Sequence, residues 1–403
     1  MENRSCDRGA ARTLSAVLAA AAAFAVALPV DAQTVKVGYI VTLTGGQAGL
    51  GDTIQKATNL YMKLHADDLP AGVKIEPIWR DDTGPNPDLA KRLAQELIVR
   101  DQVQFLSGVT WTPNAMAVGA FTKQAKIPTV MSGNGAAAVT RESPYVIKTS
   151  FTVWQACYPL GKWAATHGIK IAYTAVTDYA GGYDAEAAFI KGFTEAGGTI
   201  AGSVRIPFNT VDYLPFVQRI KDAKPPAVFV FAPGAAAATT YMKAFDDLGV
   251  SKAGIKIIGP GDITDDMELQ HMGKAVLGVE TALYYSDALT NPANKQFIDA
   301  WHKEYGADDD PGFFTVNGWD AIAAIYAAVK AQNGKIDPDK TMEILSHWKT
   351  SDSPRGPLEI DPETRDVVHN VYMRRVEEVD GKLTNVVFDT IPMVKDPWKE
   401  FNK

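Results

Sequence analysis

The stretch VKVGYIVTLTGGQAGLGD, residues 35–52, decides the fold of this chain. Residues 35–41 are mainly apolar and β-branched, which predicts a strand that is covered on both faces. The glycine-rich segment 42–52 follows, and residues 53–66 then have the periodicity of an amphipathic helix. A buried strand that leads through a turn into a helix is the repeating unit of a parallel α/β sheet. The turn does not match G-x-G-x-x-G, so it is only weak evidence for a dinucleotide site.

The same alternation of strand and helix continues and then restarts after a break near Ser150. Before the break, strands are predicted at 73–79, 103–108 and 127–131, with helices at 87–100 and 113–125. After it, strands are predicted at 169–176, 199–206, 227–232 and 255–259, with helices at 184–196, 213–221 and 235–248. The tail adds helices at 291–305, 319–331 and 340–348 and a β-rich end at 356–391 with a hairpin signal at 379–382. The pattern predicts an α/β protein of two doubly wound, Rossmann-like lobes.

Composition and charge favour a globular protein of two domains that does not bind nucleic acid. The chain has 403 residues, of which 46% are apolar and 22% are charged, and its formal net charge is −7. A chain of this length can bury two cores. A nucleic-acid partner would require clustered lysines and arginines, which an acidic balance argues against.

The first 32 residues are predicted to be a secretory signal peptide and not part of the fold. Three arginines precede the apolar run 14–28, and small or apolar residues end the segment at Ala32, after which cleavage is expected. A membrane anchor is the less favoured alternative, because the run is shorter than the roughly 18 residues that a transmembrane helix needs. After cleavage Cys157 would be the one remaining cysteine and could form no internal disulfide.

Loops that follow the predicted strands form the candidate ligand site. In open α/β sheets ligands bind beyond the carboxyl ends of the strands, where backbone amides and helix N-termini favour a carboxylate. Two facing lobes would bring such edges around one cleft, and closure of a hinge would remove water from it. The segments at these positions are 42–52, 108–114, 131–137, 177–184 and 259–266.

Each of these segments also has a purely structural explanation. Thr112 is predicted to be a helix N-cap with Pro113 at the first helical position, and its hydroxyl could equally hold a carboxylate. Trp111 on the same loop could form a wall for an apolar ligand, and Tyr179 could stack on a ligand or cover the edge of the lobe. Asp262 is better explained as a ligand contact than as part of a calcium site, because the EF-hand spacing is missing.

Motifs of the common enzyme classes are missing from the sequence. It contains no G-x-S-x-G, H-E-x-x-H, G-x-x-x-x-G-K-[ST] or C-x-x-C segment. The six histidines are scattered without the spacing of metal ligands. No enzymatic activity, metal or cofactor is therefore expected, and a secreted hydrolase that joins carboxylates from distant segments is the alternative.

Several short segments together resemble the branched-chain amino-acid binding family, the type I periplasmic binding proteins of ABC transporters. Their order along the chain is Val37-Gly38-Tyr39-Ile40, Thr44-Gly45-Gly46, Trp79-Arg80-Asp81-Asp82, Met131-Ser132-Gly133, Lys148-Thr149-Ser150, Asp178-Tyr179 to Tyr183, Gly259-Pro260-Gly261 and Pro354-Arg355-Gly356-Pro357. The resemblance implies two lobes joined by a three-segment hinge, in a periplasmic protein that delivers a small-molecule ligand to an ABC permease in the inner membrane. The implied lobes are 33–152 with 286–352 and 153–285 with 353–403.

The resemblance also implies roles for particular residues. Thr112 and the amides near it would bind the ligand carboxylate, the segment 134–136 would add main-chain bonds, and Tyr183 would come from the second lobe. Gly261 stands where amino-acid binders have an acid for the ammonium group, and Asp262 is one position further on. The predicted ligand contacts are Leu50, Trp111, Thr112, Asn134, Gly135, Ala136, Tyr179, Tyr183 and Asp262.

The expected ligand is a hydrophobic or branched-chain amino acid, with an aromatic or keto acid as the alternative. Trp111 and Tyr179 fit the alternative, because a flat ring packs well between aromatic walls. A periplasmic sensor subunit that docks on a receptor would use the same fold.

Overall fold

The computed structural model describes residues 33–234 and 236–402, and its first sheet has five parallel strands in the order β2-β1-β3-β4-β5. These strands are β1 (Gln33–Val41), β2 (Val73–Asp81), β3 (Phe105–Gly108), β4 (Thr129–Met131) and β5 (Val146–Lys148). The connecting helices are α1 (Gly49–Leu64), α2 (Pro87–Val99), α3 (Thr112–Ala125) and α4 (Val139–Glu142). Side chains of β1 alternate between two apolar clusters, one shared with α2 and α3 and one on the opposite face. The expected doubly covered sheet is confirmed.

The second sheet joins five parallel strands to an antiparallel extension from the tail. Its parallel part has the order β7-β6-β8-β9-β10, formed by β6 (Ile171–Asp178), β7 (Thr199–Pro207), β8 (Ala227–Phe231), β9 (Lys256–Pro260) and β10 (Glu280–Leu283). The helices around it are α5 (Val153–Thr166), α6 (Ala180–Glu195), α7 (Leu214–Ala223), α8 (Ala236–Asp247) and α9 (Asp266–Met272). Here too apolar side chains are buried on both faces of the strands.

The tail contributes to both lobes. Helices α10 (Pro292–Tyr305), α11 (Phe313–Ala331) and α12 (Pro338–Ser346) belong beside the first sheet, where the Tyr305 hydroxyl donates to the Lys56 carbonyl on α1 at 2.8 Å. The chain then returns to the second sheet with β11 (Lys349–Thr350), β12 (Leu358–Ile360), β13 (Val367–Val379) and β14 (Lys382–Val394), and it ends in α13 (Pro397–Phe401). The predicted hairpin is confirmed, because Asp380 and Gly381 both have positive φ between β13 and β14.

The chain therefore passes three times between the lobes, after β5, after β10 and after α12. Arg355 on the third passage joins all three. Its guanidinium donates to the carbonyls of Ser150, at 2.8 Å, and Thr149 on the first passage, and it lies 4.8 Å from the ring centre of Tyr284 on the second. Asp320 of α11 completes the cluster with an Oδ2 atom 2.7 Å from the Arg355 Nε. We call these five residues the hinge cluster.

Several predicted helix starts are wrong. Thr112 is the first residue of α3 and not its N-cap, which is Trp111 in an extended conformation without a side-chain cap bond. Helix α6 begins at Ala180, four residues before the predicted start at 184, and a Cβ on Gly182 would lie 1.9 Å from the Thr177 carbonyl oxygen. The two glycines at 181–182 therefore serve close packing inside a helix and are not part of a longer loop.

Helix α11 begins at Phe313 and not at the predicted 319. Residues 313–322 are all buried. A helix that is covered all round has no amphipathic periodicity from which its start could be read.

The predicted signal peptide and its cleavage after Ala32 lie outside the described residues. Within residues 33–234 and 236–402, no helix combines the length and the apolar character that crossing a bilayer requires.

Candidate functional site

The carboxyl ends of β1, β3 and β4 in the first lobe face those of β6, β8 and β9 in the second, and a cleft lies between them. The first lobe and the hinge contribute Leu50, Thr110, Trp111, Thr112, Gly133, Gly135, Phe151, Val153 and Phe314 to its walls. The second lobe contributes Tyr179, Gly181, Phe231, Pro233, Gly234 and Asp262. This is the arrangement that the order of strands and loops predicts.

A chain of hydrogen bonds fixes Trp111 in the first-lobe wall. Its indole Nε1 donates to the Thr42 hydroxyl at 2.7 Å, and that hydroxyl donates to Asp82 at 2.6 Å. The side chain of Asn114 donates to the other oxygen of Asp82 at 2.9 Å. Burial raises the pKa of Asp82. The ring is therefore oriented before any ligand arrives, which reduces the entropy that binding would cost.

The backbone beneath this wall is unusually tight. Gly108 and Val109 have φ values of 84° and 59°, and a Cβ on Gly108 would lie 2.7 Å from the Ile40 carbonyl oxygen. A Cβ on Gly133 would lie 2.6 Å from the Cα of Thr110. The loop after β4 can approach the loop after β3 this closely because Gly133 has no side chain.

The polar groups of the 134–136 segment are engaged within the first lobe. The Asn134 side chain donates to the Val109 carbonyl at 3.1 Å and accepts from the Ala136 amide at 3.3 Å. The Ala136 carbonyl accepts from the buried Lys148 at 2.7 Å. Gly135 is the member of this segment that lines the cleft.

The second-lobe wall is aromatic. The ring of Tyr179 stacks on Phe231 with 6.1 Å between centroids and meets the edge of Phe208 at 5.2 Å. Phe208, on the loop after β7, also meets Trp111 of the first lobe at 5.5 Å. An aromatic contact thus joins the two lobes beside the cleft.

Tyr183 lies away from this wall. Its side chain is 42% exposed, its hydroxyl donates to Asp178 at 2.7 Å, and the Arg205 guanidinium lies 4.5 Å from its ring centre. The residues lining the cleft include Gly181 from the same turn of α6, and not Tyr183.

Asp262 is the only aspartate, glutamate, lysine or arginine among the described residues that line the cleft. It lies in the single turn Gly261–Thr264 after β9, is 5% exposed, and has an Oδ2 atom with no hydrogen-bond partner among the described residues. Desolvation by burial raises its pKa to about 7. The nearby Arg374 is engaged elsewhere, because it pairs with Asp266 at 3.2 Å and donates to the Tyr285 carbonyl at 2.6 Å. Burial therefore makes the neutral form of the Asp262 carboxyl more favourable than it is for an exposed acid.

On the first-lobe side, the hydroxyl of Thr110 is also buried without a partner among the described residues. Lysine, arginine and histidine are absent from the described lining. Positive potential comes instead from helix N-termini, since the first turns of α1, α3, α6 and α11 each place a residue in the wall. The cleft can therefore hold a carboxylate on backbone amides and hydroxyls.

The chain resembles known proteins along nearly its whole length. The model of the family described as periplasmic binding protein matches residues 34–382. Leu/Ile/Val-binding protein homolog 6 of Brucella melitensis is 36% identical, over 94% of this chain and 95% of that protein.

Two solved structures are also similar. A solute binding protein of an ABC transporter from Rhodopseudomonas palustris BisB5, in complex with 3,4-dihydroxybenzoic acid, is 47% identical with a TM-score of 0.87 and covers 91% of this chain and 99% of its own. Another from R. palustris, in complex with 4-hydroxybenzoate, is 36% identical with a TM-score of 0.88 and covers 92% and 100%.

The chain belongs to the periplasmic binding protein family. Its matches confirm the type I, branched-chain amino-acid binding class that the sequence resembles, and with it the role of a solute-binding protein. This is a family of binding proteins and not of enzymes. Within the described residues of this periplasmic binding protein, no group of His, Cys, Asp or Glu side chains is arranged to hold a metal.

The cleft of this periplasmic binding protein brings together six of the predicted contacts, which are Leu50, Trp111, Thr112, Gly135, Tyr179 and Asp262. The predicted contacts did not include the other nine lining residues, which are Thr110, Gly133, Phe151, Val153, Gly181, Phe231, Pro233, Gly234 and Phe314. Thr110 and Phe231 lie at strand ends, so the rule that pointed to their neighbours could have found them. Phe314 had no such signal, because it follows no strand and comes from the tail.

Proposed function

We propose that this periplasmic binding protein captures an aromatic carboxylic acid between its lobes and delivers it to an ABC permease in the inner membrane. The observation that carries the proposal is a cleft with aromatic walls and without lysine, arginine or histidine among its described lining residues. Its aromatic lining residues are Trp111, Phe151, Tyr179, Phe231 and Phe314. Faces and edges of such rings pack best on another flat ring.

The first lobe offers the place for the carboxylate. Thr110 has a free buried hydroxyl, and Thr112 begins α3, a helix of 14 residues whose first amides have no partners within the helix. An anion at this end gains from the helix dipole and from the low dielectric of a closed cleft. The ligand's ring would then extend between the aromatic walls toward the second lobe.

The comparisons support the same ligand class. The two R. palustris proteins described above were solved with 3,4-dihydroxybenzoic acid and 4-hydroxybenzoate, and a third, from strain HaA2, was solved with p-hydroxybenzoic acid at 37% identity and a TM-score of 0.88. The first of them shares 47% of its residues with this chain.

Lobe closure is the proposed mechanism of capture. The lobes would be 33–152 with 286–352 and 153–285 with 353–403, and the passages joined by Arg355 would serve as the hinge. The protein would act in the periplasm after export and cleavage behind Ala32, and would carry out no reaction on its ligand.

A hydrophobic amino acid is the second candidate. The Brucella relatives are named for leucine, isoleucine and valine, and Asp262 could hold an ammonium group if it were ionised. Against this, burial raises the pKa of Asp262 to about 7, so ionising it to hold an ammonium group would carry a desolvation cost.

A thermal-shift screen tests the proposal. The ligands are benzoate and its hydroxylated derivatives, phenylpyruvate, leucine, isoleucine, valine and phenylalanine. A ligand at about 100 times its Kd adds roughly 2.7 kcal/mol, so we expect aromatic acids to raise Tm by several degrees. Shifts with the amino acids alone would contradict the proposal and support the second candidate.

A further inference from the structure

Two buried polar atoms in the cleft have no partner among the described residues, and they lie on opposite lobes. One is the Thr110 hydroxyl, on the loop after β3, and the other is the Asp262 Oδ2, on the turn after β9. Their residues are each 5% exposed. Buried polar atoms are nearly always paired in folded proteins, so an unpaired atom that lines a binding cleft points to a partner on the ligand.

Close packing of the turn Gly261–Thr264 fixes the position of Asp262. A Cβ on the preceding Gly261 would lie 2.3 Å from Arg374 and 2.6 Å from Leu283, so the backbone of this turn is pressed against the second-lobe core. Arg374 in turn donates to the Gly261 carbonyl at 3.3 Å while pairing with Asp266. The turn is thereby fixed, and the carboxyl of Asp262 is presented to the cleft without a cation of its own.

The ligand therefore needs two polar ends. One end is the carboxylate, placed at the start of α3, and a second carboxylate or an ionised Asp262 facing it would add repulsion in a dry site. A hydroxyl group suits the second end, because it carries no charge and can both donate and accept a hydrogen bond. Aromatic side chains line the same cleft, so a ring suits the part of the ligand that joins the two ends.

We propose that the Asp262 carboxyl binds a ring hydroxyl on the side of the ligand away from its carboxylate, and so makes this protein selective for 4-hydroxylated aromatic carboxylic acids. This inference rests on the proposed function. It is consistent with the raised pKa of Asp262, since a neutral carboxyl can donate to the hydroxyl oxygen as well as accept from its hydrogen.

The position of the hydroxyl on the ring sharpens the inference. In 2-hydroxybenzoate the hydroxyl lies beside the carboxylate and cannot reach the opposite lobe while the carboxylate stays at α3. In 4-hydroxybenzoate and 3,4-dihydroxybenzoate it lies at the far end of the ring. Benzoate would leave Asp262 unpaired, a loss that costs an analogue roughly 10-fold to 100-fold in affinity.

The test is isothermal titration calorimetry of benzoate and its 2-hydroxy, 4-hydroxy and 3,4-dihydroxy derivatives. The readout is the ratio of the benzoate Kd to the 4-hydroxybenzoate Kd. We expect about 10 to 100 in the wild type, a value near 1 in Asp262→Ala, and an intermediate value in Asp262→Asn, whose amide keeps a donor and an acceptor. The matched control is Asp389→Asn, the same change at an exposed carboxylate on β14, a strand that contributes no residue to the described lining, and it should leave the ratio at the wild-type value.

The outcomes separate the two proposals. If benzoate and 4-hydroxybenzoate bind the wild type equally, or if the ratio survives in Asp262→Ala, the inference is overturned while the proposed function stands. If none of the four acids binds and leucine or phenylalanine does, the proposed function fails first. Should Asp262→Ala not fold, the ratio in Asp262→Asn and the wild-type preference for the 4-hydroxy over the 2-hydroxy isomer decide the question.

Discussion

The hinge cluster and the ligand cleft both contain a buried charged side chain, but only in the hinge cluster does that side chain have a counter-ion among the described residues. In the hinge cluster the fully buried Arg355 finds a carboxylate, two backbone carbonyls and a tyrosine ring. In the cleft, Thr110 and Asp262 each keep an atom without a partner among the described residues. A paired buried group maintains the fold, whereas an unpaired one costs stability until a ligand supplies its partner. The pairing of buried charges thus distinguishes the hinge cluster, where Arg355 faces Asp320, from the cleft, where Asp262 has no ion-pair partner among the described residues.

The largest effect is expected where a buried charge would lose its counter-ion. Arg355→Ala should lower the free energy of unfolding by about 3–5 kcal/mol, because it leaves Asp320 buried without a counter-ion and three passages without their common partner. Burial already raises the pKa of Asp320 to about 6 despite the arginine. Urea denaturation followed by circular dichroism measures the loss.

The control for this substitution is Arg80→Ala. Arg80 also pairs with a single acid, Asp101, but the two side chains are 23% and 19% exposed. Removing a pair that water can reach should cost no more than about 1 kcal/mol. Equal losses in the two variants would mean that the hinge cluster contributes no more than a surface ion pair.

Two buried threonines of the first lobe, Thr110 in the wall and Thr42 bonded to Trp111, allow the comparison to be made within one chemical change. Thr110→Val removes an unpaired hydroxyl, so the ligand-free protein should be as stable as the wild type or slightly more stable. Its Kd for an aromatic acid should rise by roughly 10-fold to 100-fold, since a bond to the charged carboxylate is lost. Denaturation and calorimetry on the same samples measure both quantities.

Thr42→Val is the matched variant. The Thr42 hydroxyl is equally buried, but it accepts from Trp111 and donates to Asp82. Its loss should lower the free energy of unfolding by about 1–3 kcal/mol, because the Trp111 Nε1 remains buried without its acceptor and Asp82 loses one of its donors. The distinction between paired and unpaired groups would be broken if Thr110→Val proved the more destabilising of the two.

The sequence predicted the parts of this molecule that depend on local pattern. Alternation of apolar strands with helices marked both sheets, and the strand-end rule marked Trp111, Thr112 and Asp262 as cleft residues. The same reasoning misassigned the N-cap of α3, because threonine followed by proline is a common cap signal while the extended conformation here falls on Trp111. A cap signal depends on the neighbouring residues in the sequence, whereas the actual start of the helix also depends on the residues that pack around it in the fold.

The hinge cluster shows the limit more clearly. Arg355 stands in a Pro-Arg-Gly-Pro segment that reads as an ordinary turn, while the Ser150 carbonyl that it binds is 205 residues away. Phe314 enters the cleft from a helix without amphipathic periodicity, since the helix is covered on all sides. Both depend on contacts between distant segments, which no periodicity within one segment can indicate.

The smallest expected effect concerns the boundary between the two kinds of region, at the edge of the cleft. Phe208 meets Tyr179 on its own lobe and Trp111 on the other, so it contributes to closure without lining the cleft. Phe208→Ala should speed ligand release by roughly 3-fold to 10-fold, the equivalent of an aromatic pair of about 0.5–1.5 kcal/mol, and should leave the rate of association nearly unchanged. Stopped-flow tryptophan fluorescence measures both rates.

Val211→Ala on the same loop is the control for Phe208→Ala, because the Val211 side chain is 89% exposed and should not affect ligand release. Equal release rates in the two variants would place Phe208 with the structural groups, and closure would then depend on the ligand and the hinge alone.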